Sequence, residues 1–206
     1  MTTRSEKEKK QPKNVVICVC GMTASGKSTV ARKVAEKYGL RLYSGGDALK
    51  TLAIEAGYKP LSRGWWESEE GLKFLQQRLR DSDFDKKIDM KLLEYAKHGN
   101  VVLDSWTMPW LFDGSFKIWI DASKEVRVRR LAERDGVSLK KALEILEEKE
   151  KTTKTIYKKL YGFRLGEDFS VFDLILDTDK LGADEVFYAV SVVIDRLLFK
   201  IKCSNQ

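Results

Sequence analysis

Runs of apolar residues separated by stretches with helical spacing organise this chain. The segment Asn14 to Cys20 (NVVICVC) is continuous, apolar and rich in β-branched residues. That pattern predicts a strand covered on both faces, as in a parallel sheet between helices. From Lys27 to Tyr38, Val30, Ala31, Val34 and Ala35 recur at helical spacing, and Gly39 ends the pattern. Leu40 to Tyr43 predicts a short second strand, followed by the turn SGGD and a helix from Asp47 to Ala56. The stretch GYKPLSRGWWESEE is poorly patterned, and two helical segments then cover Glu70 to His98. After a Gly99-Asn100 turn, Val101 to Asp104 (VVLD) and Phe116 to Ile120 (FKIWI) read as buried strands. A helix from Lys124 to Arg134, a lysine-rich helical stretch from Ser138 to Tyr161, a strand at Asp173 to Leu176 and an amphipathic helix from Ala183 to Ile201 complete the order. Strands alternating with helices in this way predict an α/β domain around a parallel sheet.

Composition narrows the class. The 206 residues are 43% hydrophobic and 33% charged, with 14 glycines and 3 prolines, which suits one compact domain over residues 14–206 after a disordered, mixed-charge tail at 1–13. No stretch reaches the length of a membrane span, and the amino terminus lacks the apolar centre of a secretory signal. The formal charge of +7 favours a polyanionic partner and leaves RNA open beside nucleotides. Cys18 and Cys20 fall on one face of the first strand and Cys203 near the end; this odd set reads as reduced core thiols of a cytoplasmic protein.

The turn after the first strand carries the chemistry. Gly21-Met22-Thr23-Ala24-Ser25-Gly26-Lys27-Ser28 fits G-x-x-x-x-G-K-[ST], with a predicted strand before it and the predicted helix from Lys27 after it, and with Thr29 these residues form the expected ATP-binding set. Gly21 and Gly26 allow backbone conformations closed to other residues, so successive N–H groups converge on phosphate oxygens, and the helix terminus adds its field. Lys27 would span the β- and γ-phosphates of ATP, and the Ser28 hydroxyl would ligate Mg²⁺.

A carboxylate for the metal is expected at the carboxyl end of a neighbouring strand. Asp104 and Asp121 are both so placed; Asp104 is preferred because the residues after it can form an acceptor site, and a plain turn role is the alternative. Arg130 and Arg134, spaced i, i+4, can clamp phosphates opposite Lys27, or form a solvated basic face. His98 stands at a helix end, where a positive charge is favourable, and takes no part in the chemistry.

In order, GMTASGKSTVARKVAEKYGLRLYSGGD, DFDKKIDMKLLEYAKHGNVVLDSW, KIWIDASKEVRVRRLAERDGVSLKKALE, YKKLYG and DLILDTDK resemble the archaeal-type cytidylate kinases, a branch of the P-loop nucleoside monophosphate kinases. The resemblance spans about residues 14–198. It implies a three-layer P-loop kinase fold with a five-stranded parallel sheet in the order 2-3-1-4-5, a helical acceptor-binding subregion at 45–98 and a mobile lid at 136–163. The implied reaction is ATP + CMP or dCMP to ADP + CDP or dCDP, with Mg²⁺. Catalytic roles would fall to Lys27, Asp104, Arg130 and Arg134, and acceptor binding to Ser44, Gly46, Asp47, Lys50, Asp85, Asp89 and Trp106. A monomer is expected.

The chain also departs from that pattern. Lys50 stands where the family has arginine, and Asp104-Ser105-Trp106 replaces a glutamate-glycine-arginine triplet. Two lid arginines align with Lys149 and Ile156. Arginine to lysine exchanges a bidentate fork for a point charge, and arginine to tryptophan removes the charge. Lys149, Lys151, Lys154, Lys158 and Lys159 could close over phosphates, or simply solvate a helix. Trp65, Trp66 and Trp106 could stack on a base, whereas Trp110 reads as core. Two alternatives therefore stay open: a P-loop kinase acting on a nucleoside, another small molecule or an RNA end, and an ATP-binding factor for RNA or protein assembly.

Overall fold

The computed structural model describes residues 14–60 and 65–200. The tail at 1–13 and Cys203 lie outside the described residues. In chain order the elements are β1 (Val16–Cys20), α1 (Lys27–Tyr38), β2 (Arg41–Ser44), α2 (Gly45–Glu55), a 3₁₀ turn at Trp65–Glu67, α3 (Glu69–Arg80), α4 (Asp83–His98), β3 (Val101–Asp104), α5 (Met108–Leu111), β4 (Phe116–Asp121), α6 (Lys124–Asp135), α7 (Leu139–Tyr161), β5 (Leu174–Asp177) and α8 (Ala183–Leu197). The five strands form one parallel sheet in the order β2-β3-β1-β4-β5, as the resemblance implied.

Strand alternation sends side chains into two cores. Ile17, Val19, Val102, Ile118 and Ile120 pack under α1 and α8 with Val30, Val34, Val190 and Ile194. Val16, Cys18, Val101 and Leu103 face α2, α4 and α5, meeting Leu49, Ile88, Leu92 and Met108. Each such side chain removed from water stabilises the fold by about 1.5–3 kcal/mol, so the central strands need both helical layers. Cys18 and Cys20 are buried, and neither is in a disulfide. Burial pushes the Cys18 thiol up to about 12, which keeps it an inert core group.

Register aligns the functional ends of the strands. Val19 pairs with Asp104, and Ser44 with the same Asp104, so the loops after β1, β2 and β3 open on one edge of the sheet. Helix α2 begins at Gly45, ahead of the expected Asp47, because the Ser44 hydroxyl accepts the Asp47 N–H at 3.2 Å and starts the first turn there. Helix α8 stops at Leu197, short of Ile201; Lys200 has φ of +52°. The 3₁₀ turn and α5 were not expected. Pro109 in the first turn of α5 supplies the φ that starts this single turn of helix. The poorly patterned stretch resolves through Trp65, which is buried against Ala53 and Phe74. Its carbonyl lies against Gly71, where a Cβ would collide with it.

Candidate active site

The loop between β1 and α1 is wound by its glycines. Gly21 has φ of +152°, and a Cβ there would strike the Ile120 carbonyl and Ser25 Oγ. Gly26, at φ +99°, is the left-handed residue before α1. Met22 packs its side chain into a core with Trp119 and Phe163, so it contributes backbone alone. Thr23, Ala24, Lys27, Ser28 and Thr29 line a cleft of about 850 Å³ that runs on to Ser44, Gly46, Asp47, Lys50, Trp66 and Arg78. Asp85, Asp89, Asp104, Trp106, Arg134, Lys149 and Tyr157 also face it. The structure thus gathers the glycine loop and every acceptor residue expected from sequence around one cavity, of a size that suits small-molecule binding.

The loop is fixed from behind by side chains that periodicity did not single out. Arg127 of α6 donates to the Thr23 carbonyl at 3.1 Å and pairs with Glu150 of α7 through a short hydrogen bond. Glu150 in turn accepts the Thr23 N–H at 3.2 Å. Both partners are buried, and each satisfies the other's charge, which is the condition for keeping an ion pair out of water. Arg130 does not line the cleft: its guanidinium donates to the Ser25 carbonyl at 3.1 Å and to the Thr178 carbonyl at 2.8 Å. The i, i+4 reading placed it on phosphate; the structure has it brace the loop. Arg134 faces the cleft and pairs with Asp135 at 2.8 Å.

Asp104 ends β3 inside the cleft at 6% exposure, and its carboxylate meets no hydrogen-bond donor among the described residues. Asp121, the other candidate, accepts the Trp119 indole N–H at 3.2 Å and lies outside the cleft. Among the described residues no three His, Cys, Asp or Glu side chains converge as a self-sufficient metal site. A hydroxyl from Ser28 and a carboxylate from Asp104 nevertheless fit Mg²⁺, a hard cation that takes few protein oxygens and completes its shell with phosphate and water.

The far end of the cleft is built around Arg78, which no sequence pattern singled out. It leaves α3 buried at 3% exposure and donates through Nε and Nη2 to the two Asp85 oxygens at 3.0 and 2.5 Å. Burial opposes its charge, but Asp85 and Tyr157 outweigh that cost and raise its pKa. Asp89, one turn along α4, accepts from Thr107 Oγ1 at 2.5 Å and from Tyr161 at 2.6 Å. Burial pushes its carboxyl up to about 6, against the two hydrogen bonds that hold it down and with a contribution from neighbouring Asp85. Trp66 has the Arg78 guanidinium at 5.9 Å and the Lys149 ammonium at 5.8 Å from its ring centroid. Of the α7 lysines only Lys149 lines the cleft; Lys151, Lys158 and Lys159 are exposed, and Lys154 lies 3.9 Å from Glu167. Trp110 stacks on Phe163 at 4.2 Å, the core role expected of it, and exposed His98 contacts the Glu94 carbonyl at 2.8 Å.

A glycine phosphate loop at the carboxyl edge of a 2-3-1-4-5 parallel sheet defines the P-loop kinase fold. Solved structures agree: a shikimate kinase from Bacteroides thetaiotaomicron superposes with a TM-score of 0.53 at 15% identity, covering 88% of this chain and 98% of that one. A shikimate kinase from Acinetobacter baumannii gives 0.53 at 16%, covering 93% and 97%. Likeness at this identity shows the fold alone. The sequence goes further, because residues 16–180 match the model of the cytidylate kinase-like family, and the chain belongs to that family. It is 34% identical to a cytidylate kinase of Pyrococcus horikoshii over 184 residues, 89% of this chain and 90% of that one. Against a cytidylate kinase of Pyrobaculum calidifontis the identity is 37% over 173 residues, 83% and 88% of the two chains. Among the described residues no helix is long and apolar enough to cross a membrane.

Proposed function

We propose that this protein transfers the terminal phosphoryl group of ATP to CMP or dCMP. The observation that carries the reading is the single cleft with a phosphate-cradling loop at one end and a buried Arg78–Asp85 pair at the other. Phosphoryl transfer asks little covalent chemistry of a protein and much positioning. Loop N–H groups and Lys27 hold the β- and γ-phosphates, while Arg134, Lys50 and Lys149 bring cationic groups to the space between donor and acceptor. Ser28 and Asp104 would hold Mg²⁺, which when bound neutralises phosphate charge.

At the far end the chemistry suits cytosine. Two of the Arg78 nitrogens donate to Asp85 and Tyr157 also bonds the guanidinium, while its remaining N–H groups would donate to the O2 and N3 acceptors of the base. Carboxylate lone pairs of Asp85 can accept from its 4-amino group. Uracil reverses the pattern at N3 and at position 4, which would set a donor against the guanidinium and an acceptor against the carboxylate. The protonatable Asp89 and the Tyr161 hydroxyl add polar groups of either sign to the same wall.

Trp106, in the place of the family arginine, favours one rival: a P-loop kinase with another acceptor. ADP formation from Mg·ATP, measured against a panel of nucleoside monophosphates, nucleosides and RNA, decides between them. Rapid turnover with CMP or dCMP alone is expected. Turnover with a nucleoside or RNA end and none with any monophosphate would replace this reading.

A further inference from the structure

Trp106 was placed on the acceptor side by its position in sequence, yet its contacts run to the donor loop. The indole N–H donates to the Gly21 carbonyl at 2.5 Å. The Lys27 ammonium lies 5.5 Å from the centroid of the same ring. Tyr157 of α7 meets it edge-on, with centroids 6.4 Å apart and planes at 79°. From beneath, the thiol of Cys20 donates to the Trp106 carbonyl, with sulfur and oxygen 3.9 Å apart.

These contacts account for what an indole can offer. It has one hydrogen-bond donor and no acceptor, and that donor is committed to the loop. A loop that aims its N–H groups inward must turn carbonyls outward, and a buried carbonyl needs a partner. At Gly21, where no side chain fits, Trp106 supplies it. The electron-rich ring meanwhile faces the Lys27 ammonium, and a ring quadrupole attracts a cation at that range. A base stacking on the face that Lys27 occupies would have to displace it.

We infer that Trp106 is a positioning residue of the donor site: it braces the Gly21 turn and holds the Lys27 ammonium over its ring until a nucleotide phosphate draws it away. The inference rests on the reading of the cleft as an ATP-dependent kinase site. It also gives the tryptophan a job that the arginine of the family pattern, itself a cation, would not do for a neighbouring lysine.

The test compares the full chain with Trp106→Phe and Trp106→Leu, using calorimetric titration with Mg·ADP, tryptophan fluorescence and steady-state kinetics. In the wild type, Mg·ADP should change the emission as Lys27 leaves the ring, and the change should vanish in Trp106→Phe although the other four of the five tryptophans remain. Loss of the N–H should weaken Mg·ADP by about five-fold in Trp106→Phe, the scale of one hydrogen bond, and further in Trp106→Leu. The KM for CMP should stay within about two-fold, since uncommitted acceptor contacts are untouched. Unchanged Mg·ADP affinity with a raised KM for CMP would overturn the inference and return Trp106 to the acceptor. Unchanged affinity and an unchanged emission response would overturn it as well. If the wild type itself binds no adenine nucleotide, the kinase reading fails first and takes this one with it. Trp106→Phe preserves an aromatic ring in the same space, so the comparison holds even if Trp106→Leu does not fold.

Discussion

At the glycine-loop end of the cleft the loop backbone is presented beside Lys27 and Ser28, and a second set of side chains stands behind it. Gly21 and Gly26 set the path of the loop, while Arg127, Glu150, Arg130 and Trp106 tie its carbonyls and one N–H to α6, α7 and the segment after β3. At the far end the order is reversed: the side chains of Arg78 and Asp89 line the cavity themselves, and Asp85, Thr107 and Tyr161 hold them in place. A backbone cradle depends on a few glycines and a local motif. A side-chain pocket depends on residues 72 and 7 positions apart in the chain that meet only after folding. The first kind of site leaves a signature in sequence, and the second does not.

The comparison can be broken in several ways, the largest first. Lys27→Ala should lower kcat by about 10³-fold with any acceptor, as removal of a charge that stabilises the transition state does. A residual rate within ten-fold of wild type would place the phosphates elsewhere. Next, Arg78→Ala and Arg127→Ala each strand a buried carboxylate and should cost about 3 kcal/mol or more in chemical denaturation. Their kinetic effects should separate: Arg78→Ala raises the KM for CMP, and Arg127→Ala the KM for ATP. Equal effects on both substrates would show that the two ends are mechanically one.

Asp89 gives a subtler pH signature. Its folded-state pKa of about 6 lies above the ordinary 3.8, so the native state holds a proton that the unfolded chain has released between these values. Stability contributed by that proton is complete below pH 3.8 and is lost as pH rises through 6. Asp89→Asn should therefore gain on the wild type by on the order of 2 kcal/mol between pH 4 and pH 7.5. Urea denaturation at the two pH values measures the difference; parallel curves would show that the carboxyl titrates normally. The smallest effect is expected of Trp66→Leu, which removes a ring shared by two cations and should raise the KM for CMP about three-fold, with ATP unaffected.

Much of the fold was legible because its signals are local. Strands β1, β3 and β4 are short apolar runs, and α1 ends at the glycine that its periodicity marked. The 3₁₀ turn at Trp65–Glu67 was not legible, since its stability comes from Trp65 filling a space between Ala53 and Phe74. Nothing in the sequence pattern marks Arg78, and only the approach of α4 pairs it with Asp85 on the wall of the cleft. Arg130 and Trp106 were visible as residues of interest, but which group each would touch depended on a rotamer. Spacing brings a side chain to the right neighbourhood; packing decides which way it turns.

The grip of Arg127 and Glu150 on Thr23 bears on how such a protein changes over generations. The loop after β1 is held by Arg127 and Arg130 of α6, Glu150 of α7 and Trp106, and Lys50, Trp66 and Asp85 are not among these braces. On the kinase reading, substitutions in the wall that carries Asp85 would retune what is phosphorylated and leave the brace of the phosphate loop in place. Under that reading the residues around Lys50 can change while the motif from Gly21 to Ser28 stays unbroken, and this chain carries a lysine at position 50 beside an intact glycine motif.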